Sequence, residues 1–512
     1  MRLHIRVCWI GLLVLLLAST AMAGEFMDTW LTFAFSDDNI FADAEDRSPR
    51  PGFHYTGNEA FFDNYNSAYT GYETLAHLVL YKKMQSYFRH LELEAALVIQ
   101  LENVTDEVTW DTETQLRDDG SYIKLNYYFD AEKMQGDLLA LTLFPIDSDR
   151  FRLGYSYDIT WGGNATWPTN TNPVPGMRLQ YDFGTAPSAT FGGYVLGGVK
   201  AARLLNEEIN EVDTYYGYLF GMGLDFGKKL LWEMNGGVFE KGVFPPQSID
   251  SDVGGEVIDA HGVSTRLTYR DGLPIGDSVD FRLYKNDLAA VRKAAEPEQY
   301  DQGLSYMIST EATYREQMML DWDDPDTTLY YPAMAGDLNV KFKFGHLRLF
   351  GDVVYRQLAY ILFDVPGLAP FYAFPDDAEI TDEYFTAGGF DYNFPDWHLT
   401  LGLIGGYKHP ATYKGATDIP DAADEQNVIV VRDLGDLEIL PKGEEAYDIV
   451  TVKPNVKLEL ADGFNLLGEV QYTIDKNRTK YVDDARGVAT REFEDETVTN
   501  PIGFSLLMQA RF

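Results

Sequence analysis

Arginine, lysine and aspartate side chains recur at every second position along several segments of this 512-residue chain. In one such segment Arg178 and Asp182 flank Gln180, and the positions between them are Leu179 and Tyr181. A period of two places alternate side chains on opposite faces of a strand, so the segment predicts one charged face and one apolar face. Charged faces around a water-filled pore would orient polar solutes and select among ions. The alternation assigns thirteen charged residues to this pore-lining side: Arg150, Arg152, Arg178, Arg266, Arg270, Arg282, Lys341, Lys343, Arg348, Asp158, Asp182, Asp280 and Asp352.

The same charged residues have a second interpretation, in which they pair across neighbouring strands. Arg178 would meet Asp158, and Arg150 or Arg152 would meet Asp182, if these segments lie side by side. Both interpretations require a wet interior, because an Arg or Lys facing lipid at mid-bilayer costs roughly 2–4 kcal/mol. Lining a pore and pairing across strands are compatible roles, and the sequence leaves both open.

The sequence carries no motif for catalysis or for a metal. G-x-S-x-G, H-E-x-x-H and a Gly-Lys-Ser/Thr phosphate loop are all absent. The histidines after residue 23 are scattered, and none pairs with another at the spacing of metal ligands. The sequence therefore predicts no catalytic residue, no metal site and no cofactor, and indicates that the protein is not an enzyme.

The net charge of −39 comes largely from carboxylates clustered in predicted loops. The clusters are Asp321–Asp326, Asp376–Glu383, Asp421–Glu425 and Glu492–Glu496. Clustered carboxylates can bind Ca²⁺ weakly, but none of these segments has the spacing of a helix–loop–helix calcium site. A solvated, self-repelling loop is the simpler interpretation. Nucleic acid is excluded as a partner, because its recognition needs basic patches.

Alternation of apolar and polar residues recurs along most of the chain and predicts an all-β fold. Further segments are Arg150–Thr160, Val263–Arg270, Val279–Leu283, Leu338–Phe344 and Asn455–Leu460. Strands with one apolar and one charged face predict a single antiparallel transmembrane β-barrel, with lipid outside and water inside. We expect about 18 strands, within a range of roughly 16–20, joined by long acidic outer loops.

Short and long connections alternate along the predicted barrel, except at two places. The alternation fails near Leu138–Phe144 and again near Ser305–Leu320. Either a strand that does not span has been counted at each place, or a long connection lies on the side of the tight turns. The Trp-, Pro- and Gly-rich segment Trp161–Gly176 predicts a loop, which is either a surface turn or a loop that lines the pore. Asp287–Glu298 predicts a short helix within a loop.

The first residues of the chain have the organisation of a secretory signal peptide. Two arginines precede the apolar stretch Val7–Ala18, and Ala21-Met22-Ala23 forms a small-residue cleavage site. The apolar stretch is short for a membrane-spanning helix. We therefore expect residues 1–23 to be cleaved and residues 24–512 to form the barrel.

The signal, the alternation and the last strand together resemble a bacterial outer-membrane porin. Apolar residues alternate from Ile502 to Phe512, as in the terminal strand of outer-membrane β-barrels. The resemblance implies that Phe512 is an insertion signal read by the barrel-assembly machinery, and that outer-membrane lipid surrounds the protein. It also implies location in the outer membrane of a bacterial cell and passive diffusion of small hydrophilic solutes. The resemblance covers the chain after the signal but points to no subfamily.

Two other kinds of barrel remain open as alternatives. One is a transport barrel for a particular polymer or lipid, whose lumen would be closed by inward loops. The other is a barrel-type enzyme, such as a lipid hydrolase with a Ser–His pair on its outer wall, or a surface-binding protein. The lumen of the second kind would be too tightly paired to conduct.

Overall fold

A computed structural model describes most of the chain, with gaps in the connections. The described residues are 28–37, 74–105, 112–118, 120–130, 136–149, 151–156, 159–167, 174–185, 189–206, 211–244, 255–273, 303–324, 326–363, 372–375, 378–414, 427–431, 437–461, 463–483 and 489–511. The predicted signal peptide, Phe512 and the predicted helix Asp287–Glu298 lie outside these residues. Within the described part of the chain, no helix is long and apolar enough to cross a membrane.

Nearly all of the described chain is β-strand. The strands are β1 (Asp28–Asp37), β2 (Thr74–Gln85), β3 (Leu91–Thr105), β4 (Thr112–Asp118), β5 (Tyr122–Tyr128), β6 (Leu138–Phe144), β7 (Gly176–Phe183), β8 (Phe191–Asn206), β9 (Glu211–Phe226), β10 (Leu230–Val243), β11 (Val257–Asp271), β12 (Leu304–Leu320), β13 (Thr328–Phe344), β14 (Leu347–Arg356), β15 (Glu379–Thr381), β16 (Glu383–Phe394), β17 (Leu399–His409), β18 (Ala411–Lys414), β19 (Ile429–Val431), β20 (Leu437–Ile439), β21 (Ile449–Ala461), β22 (Phe464–Ile474), β23 (Thr479–Asp483), β24 (Ala489–Phe493) and β25 (Ile502–Arg511). Two short helices, α1 (Leu358–Leu362) and α2 (Glu496–Thr499), interrupt the long connections.

The large sheet closes on itself as a barrel. It contains 19 strands, and its first and last strands, β1 and β25, pair antiparallel from Trp30↔Arg511 to Asp37↔Phe504. Strands β4 and β5 both pair with β3, and they share one place in the ring. Between them the chain bulges at Ser121, whose hydroxyl accepts a hydrogen bond from the backbone N–H of Val98 at 2.8 Å. Counted over the described residues, the ring has 18 places, in agreement with the predicted number.

The two faces of the barrel differ as the alternation predicts. On β7, the outward Met177 and Leu179 are 48% and 50% exposed, while Arg178 between them is buried. On β11, Val263 and Leu267 are exposed, while Arg266 faces inward and is buried. Apolar side chains on the outside and charged side chains on the inside invert the usual arrangement of a protein dissolved in water.

Aromatic rings form a girdle on the outside of the barrel near the tight turns. Consecutive ring centroids are 4.8–6.1 Å apart in two runs, which are Tyr127–Phe129–Tyr181–Phe183–Phe191–Phe226 and Tyr392–Phe394–Trp397. On β9, the exposed Tyr218 lies eight residues from Phe226. At about 3.3 Å per residue and a tilt of roughly 40°, these rings are about 20 Å apart along the barrel axis. This spacing is close to the height of the apolar band of membrane barrels.

The two places where the alternation of connections failed have different explanations. Leu138–Phe144 is a full member of the ring, as β6, whereas the described residues of Arg150–Thr160 form no strand of the barrel. The prediction that Arg150–Thr160 spans the membrane is therefore wrong. Near Ser305–Leu320 the chain forms a single strand, β12. The end of β11 at Asp271 and the start of β12 at Leu304, which a long connection joins, both lie on the side of the tight turns.

Two connections on the opposite side turn into the barrel. The first joins β6 to β7, and its described residues within 145–175 are called the inward loop. The second follows β14 and contains α1, and its described residues within 357–375 are called the inward helix segment. At the end of this second connection, β15 forms a small sheet with β18–β20 of the connection between β17 and β21. Strands β23 and β24 pair in the connection between β22 and β25. We call this side the long-connection side.

Candidate functional site

The inward loop has an apolar core shared with the barrel wall. Phe151, Leu153, Trp161 and Trp167 are each at most 2% exposed. They pack with inward side chains of the wall, among them Phe239 of β10, whose ring centroid is 5.7 Å from that of Trp161 and 5.9 Å from that of Trp167. The loop is therefore packed inside the barrel. For Trp161–Gly176 we predicted either a surface turn or a loop that lines the pore. The described residues of this segment lie inside the barrel, so the prediction of a surface turn is wrong for them.

Polar side chains of the wall bind the backbone of the inward loop. Glu311 of β12 accepts hydrogen bonds from the N–H groups of Tyr155, at 2.9 Å, and Ser156, at 2.7 Å. Asn235 of β10 accepts one from the N–H of Gly154 at 3.0 Å. Gly154 has a φ of +90°, and a Cβ there would lie 3.0 Å from the Thr160 backbone, so this turn requires glycine. These hydrogen bonds satisfy backbone N–H groups of the loop that have no partner in a neighbouring strand.

A cluster of carboxylates stabilises the start of the inward loop. Asp147 accepts hydrogen bonds from the Asp149 N–H and from the Asn164 side-chain amide, each at 2.8 Å. Asp149 accepts one from the Asn164 N–H at 2.5 Å. Burial raises the pKa of Asp147 to about 6, and the neighbouring Asp149 carboxylate contributes to the rise. The start of the loop therefore titrates near neutral pH.

The inward helix segment packs beside the loop. Its helix α1 is buried, and Asp382 accepts a hydrogen bond from the N–H of Leu358, the first residue of α1, at 3.2 Å. The segment's Tyr360 and Phe363 join inward residues of β12–β17 in a second apolar cluster. The Tyr360 hydroxyl donates to the backbone carbonyl of Ile159 in the inward loop at 2.6 Å. The two inward segments thus narrow the lumen together.

A cavity of about 570 Å³ lies between the inward loop and the tight turns. Its lining contains four cationic side chains, those of Arg152, Arg178, Lys228 and Arg270. It also contains three carboxylates, those of Asp182, Asp225 and Glu233. The rings of Phe151, Tyr155 and Tyr194 complete a lining in which both charges and aromatic faces are available. Such a cavity accommodates a small polar solute.

Four of the predicted pore-lining residues meet at this cavity. Arg178 is buried, its guanidinium lies 5.8 Å from the centroid of Phe151, and it reaches Thr142 at 3.5 Å. Asp182 accepts a hydrogen bond from the Gln180 side chain at 2.7 Å. Arg270 donates to the carbonyl of Lys228 at 3.0 Å. The fourth, Arg152, reaches the cavity from the inward loop and not from a strand.

Two further predicted residues, Arg266 and Arg348, form ion pairs along the wall. Arg266 lies against Glu233 of the neighbouring β10, at 2.9 Å from its Nε, and its guanidinium is 4.6 Å from the ring of Tyr155. Arg348 binds Asp391 of β16 at 2.7 Å. Asp352 accepts a hydrogen bond from the Asn339 side chain. Lys343 is buried and Lys341 is partly exposed, both on β13. The remaining predicted residues, Arg150, Asp158, Asp280 and Arg282, lie outside the described residues.

Further charged groups of the lumen pair in the same way. Glu383 of β16 binds Arg356 at 2.6 Å and Lys408 at 2.7 Å, and Lys453 of β21 binds Glu469 at 3.0 Å. Each pair joins neighbouring strands, so opposite charges meet across the wall at these positions. No described group of three or more His, Cys, Asp or Glu residues is arranged to hold a metal ion.

The residues that sequence reasoning missed contact the inward segments. Arg315, Trp161 and Tyr360 are buried in the lumen. Arg315 and Tyr360 were not predicted to line it, and Trp161 was named only within Trp161–Gly176, for which a pore-lining loop was one of two predictions. Glu311, Thr313 and Arg315 occupy successive inward positions of β12. Interpreting Ser305–Leu320 as one unbroken strand would therefore have placed Arg315 in the lumen. For the two aromatic residues, no local pattern distinguishes a ring inside a lumen from one on a surface loop.

Comparisons with known proteins give structural neighbours only. No protein-family model matches the chain, and no curated protein matches it. Among solved structures, OccAB4 of Acinetobacter baumannii is 11% identical, covers 96% of this chain and 99% of its own, and gives a TM-score of 0.40. OccK3 (OpdO) of Pseudomonas aeruginosa is 10% identical, with coverages of 95% and 96% and a TM-score of 0.41. A BenF-like porin from Pseudomonas fluorescens Pf-5 is 8% identical, with coverages of 95% and 98% and a TM-score of 0.44.

Proposed function

We propose that this chain is a porin-like channel of the bacterial outer membrane, through which small hydrophilic solutes diffuse passively. The observation that carries the proposal is the closed ring of strands with an apolar outer face and a charged inner face. An outward belt of apolar side chains bounded by aromatic rings fits lipid. A lumen with charged pairs on strand after strand fits water, since charges removed from water would be costly.

The inward segments make this channel narrow and selective. A barrel of this many strands is wide enough for an aqueous pore when its lumen is open. Here the inward loop and the inward helix segment fill part of the cross-section with packed aromatic side chains. Solutes pass beside the inward loop, through the cavity lined by Arg152, Arg178 and Asp182. We expect opposite charges and rings at this position to favour small polar solutes over large ones.

Several parts of the proposal concern the surroundings of the barrel. Lipid covers the outer face, the barrel-assembly machinery inserts the strands, and residues 1–23 are removed on export. The long-connection side faces the outside of the cell, and the side of the tight turns faces the periplasm. The proposal assigns no catalytic step to the chain.

A second candidate is a transport barrel for one particular polymer or lipid. The packing of two segments inside the lumen favours it, because such a barrel would be closed by inward loops. The two candidates differ in what purified protein does without any other component. A passive channel leaks small solutes continuously, whereas a closed barrel does not.

Swelling of proteoliposomes in sugars of increasing size tests the proposal. We expect rapid swelling in small sugars and a steep loss of rate as the sugar grows, because the inward segments narrow the lumen. Liposomes that contain the protein denatured before reconstitution serve as the control. Folded protein that gives no more swelling than this control would contradict the passive channel and favour the closed barrel.

A further inference from the structure

Strand β12 holds the inward loop and the inward helix segment through consecutive inward positions. Glu311 binds the backbone of the inward loop, as described above. Two residues further, Thr313 contacts the hydroxyl of Ser264 at 2.8 Å, and Ser264 accepts a hydrogen bond from the Trp161 indole at 3.0 Å. At the next inward positions lie Arg315 and Gln317. Strand β12 therefore lies where the two segments that narrow the lumen meet.

Arg315 contacts aromatic rings of both inward segments at once. Its guanidinium carbon lies 5.2 Å from the ring centroid of Trp161 in the inward loop. It lies 5.1 Å and 5.3 Å from the centroids of Tyr360 and Phe363 in the inward helix segment. Arg315 is 1% exposed, so these contacts are shielded from water. A planar guanidinium stacks on several rings in a way that an ammonium group does not.

The neighbours of Arg315 leave space for this arrangement. Its register partners are Gly262 on β11 and Ala333 on β13, which are the smallest residues available. A Cβ on Gly262 would lie 2.7 Å from the Cβ of Arg315 and 2.5 Å from the carbonyl of Tyr314. Any larger residue at position 262 would therefore displace β12 or the arginine.

A polar contact at the next inward position adds to the same junction. Gln317 accepts a hydrogen bond from the Lys241 ammonium group at 2.7 Å. The same ammonium group donates to the backbone carbonyl of Phe363 at 2.5 Å. The ring and the carbonyl of Phe363 are thus both held by β12, one directly by Arg315 and the other through Lys241.

We propose that Arg315 is the positioning residue of the constriction, and that it couples the two inward segments so that they move as one unit. The inference rests on the proposed channel function. Without Arg315, Trp161 no longer shares a cationic partner with Tyr360 and Phe363. The hydrogen bond from Tyr360 to Ile159 still joins the two segments, but they fluctuate more independently than in the wild type. The lumen then widens intermittently, whereas in the intact protein its width stays constant.

Single-channel recording of the full-length protein with the variant Arg315→Met tests the coupling. Methionine keeps much of the apolar volume but removes the charge and the planar group. We expect a larger conductance, more current fluctuation in the open state, and a larger exclusion radius in polyethylene glycols of graded size. Arg315→Lys should bring the conductance, the current fluctuation and the exclusion radius part of the way back to the wild-type values, because lysine restores the charge but not the planar group.

A matched control shows whether the effects of Arg315→Met are specific to the constriction or follow from the loss of any cation–aromatic contact. Arg491→Met removes an arginine that lies 4.2 Å from the Tyr481 ring in the β23–β24 hairpin, away from the inward segments. We expect this variant to keep the exclusion radius of the wild type. An Arg315→Met protein that folds and also keeps the wild-type conductance, fluctuation and exclusion radius would overturn the proposal.

Hydrogen exchange gives a readout that does not depend on conduction. Arg315→Met should accelerate exchange in peptides covering 151–163 and 358–363 by similar factors, because both segments lose the same partner. Acceleration in one segment alone, or in neither, would refute the coupling. A wild-type protein that never conducts would refute the channel function, while the exchange result would still decide the role of Arg315.

Discussion

The carboxylate of Glu311 on strand β12 accepts a hydrogen bond from the backbone N–H of Tyr155, 156 residues earlier in the chain, at 2.9 Å. The carboxylate also accepts the N–H of Ser156, so one buried side chain holds two consecutive residues of the inward loop. A carboxyl group has two oxygen acceptors, so it can accept both N–H groups at once. This contact connects the wall of the barrel to the segment that narrows its lumen.

Replacing Glu311 with glutamine should loosen the inward loop. The two carboxyl oxygens accept both N–H groups, whereas an amide offers only one oxygen acceptor, and a buried N–H group left without a partner costs about 1–3 kcal/mol. A loss of about 1.4 kcal/mol raises the open fraction of the loop roughly tenfold. Hydrogen exchange of peptides covering 151–156 measures this fraction.

The surface variant Glu492→Gln is a suitable control, since it makes the same substitution at an exposed position of the β23–β24 hairpin. Equal exchange of the inward loop in wild type and Glu311→Gln would show that Glu311 does not hold it.

Cysteine labelling should reproduce the two faces of β13. A cysteine at Phe342, which faces outward, should react with a lipid-soluble thiol reagent, and a cysteine at Lys341 should react with a water-soluble one. A cysteine at Leu153 should be slow with both reagents, because Leu153 is 2% exposed inside the barrel. Reversed labelling at positions 341 and 342 would mean that β13 is shifted by one residue.

The alternation in the sequence predicted the faces of the strands well, because lipid and water impose opposite demands on neighbouring side chains. It placed Arg178, Arg266 and Lys343 inside the barrel and Met177 outside. The number of strands followed from the same pattern. These features are local, since each strand shows its own two faces regardless of its partners.

The alternation failed at Arg150–Thr160 for a physical reason. Inside the lumen, Phe151 and Leu153 meet apolar side chains of the wall, while the backbone between them meets polar groups such as Glu311. A loop in such surroundings shows the same period of two as a strand between lipid and water. Gly154, with its positive φ, and the glycines after Trp161 were the available signs of a turning chain. The wall residues that bind the backbone of Gly154, Tyr155 and Ser156 lie 81 to 156 residues away in the sequence, and no local pattern reveals them.

The pH should control how firmly the inward loop is held. The pKa of Asp147 is raised to about 6 in the folded loop, so folding favours the protonated carboxyl. The stabilisation is complete below the unfolded pKa of about 3.9 and is lost as the pH rises through about 6. Open-channel current fluctuations should therefore be smaller at pH 5 than at pH 7.5. Asp147→Asn should remove this difference, and an unchanged difference in the variant would assign it to another group.

Removing Arg266 should change stability more than ion selectivity. The guanidinium is buried against Glu233, and removing one partner of a buried pair costs about 3–5 kcal/mol because the other charge remains. Arg266→Met should therefore lower the urea midpoint of unfolding in detergent. The double variant Arg266→Met, Glu233→Gln should recover much of the loss, since it leaves no unpaired charge. A single variant with wild-type stability and altered selectivity would make Arg266 a filter residue.

Block of the current by a thiol reagent tests the central claim, that ions and small solutes cross the barrel through the cavity beside the inward loop. Gln180 lines this cavity, whereas its neighbour Leu179 faces outward. In a background where Cys8 is replaced by serine, we compare Gln180→Cys with Leu179→Cys in planar bilayers. A charged, water-soluble thiol reagent should reduce the single-channel current of Gln180→Cys and leave that of Leu179→Cys unchanged. Equal currents before and after labelling of Gln180→Cys, with labelling confirmed by mass, or no current from folded protein, would contradict the account.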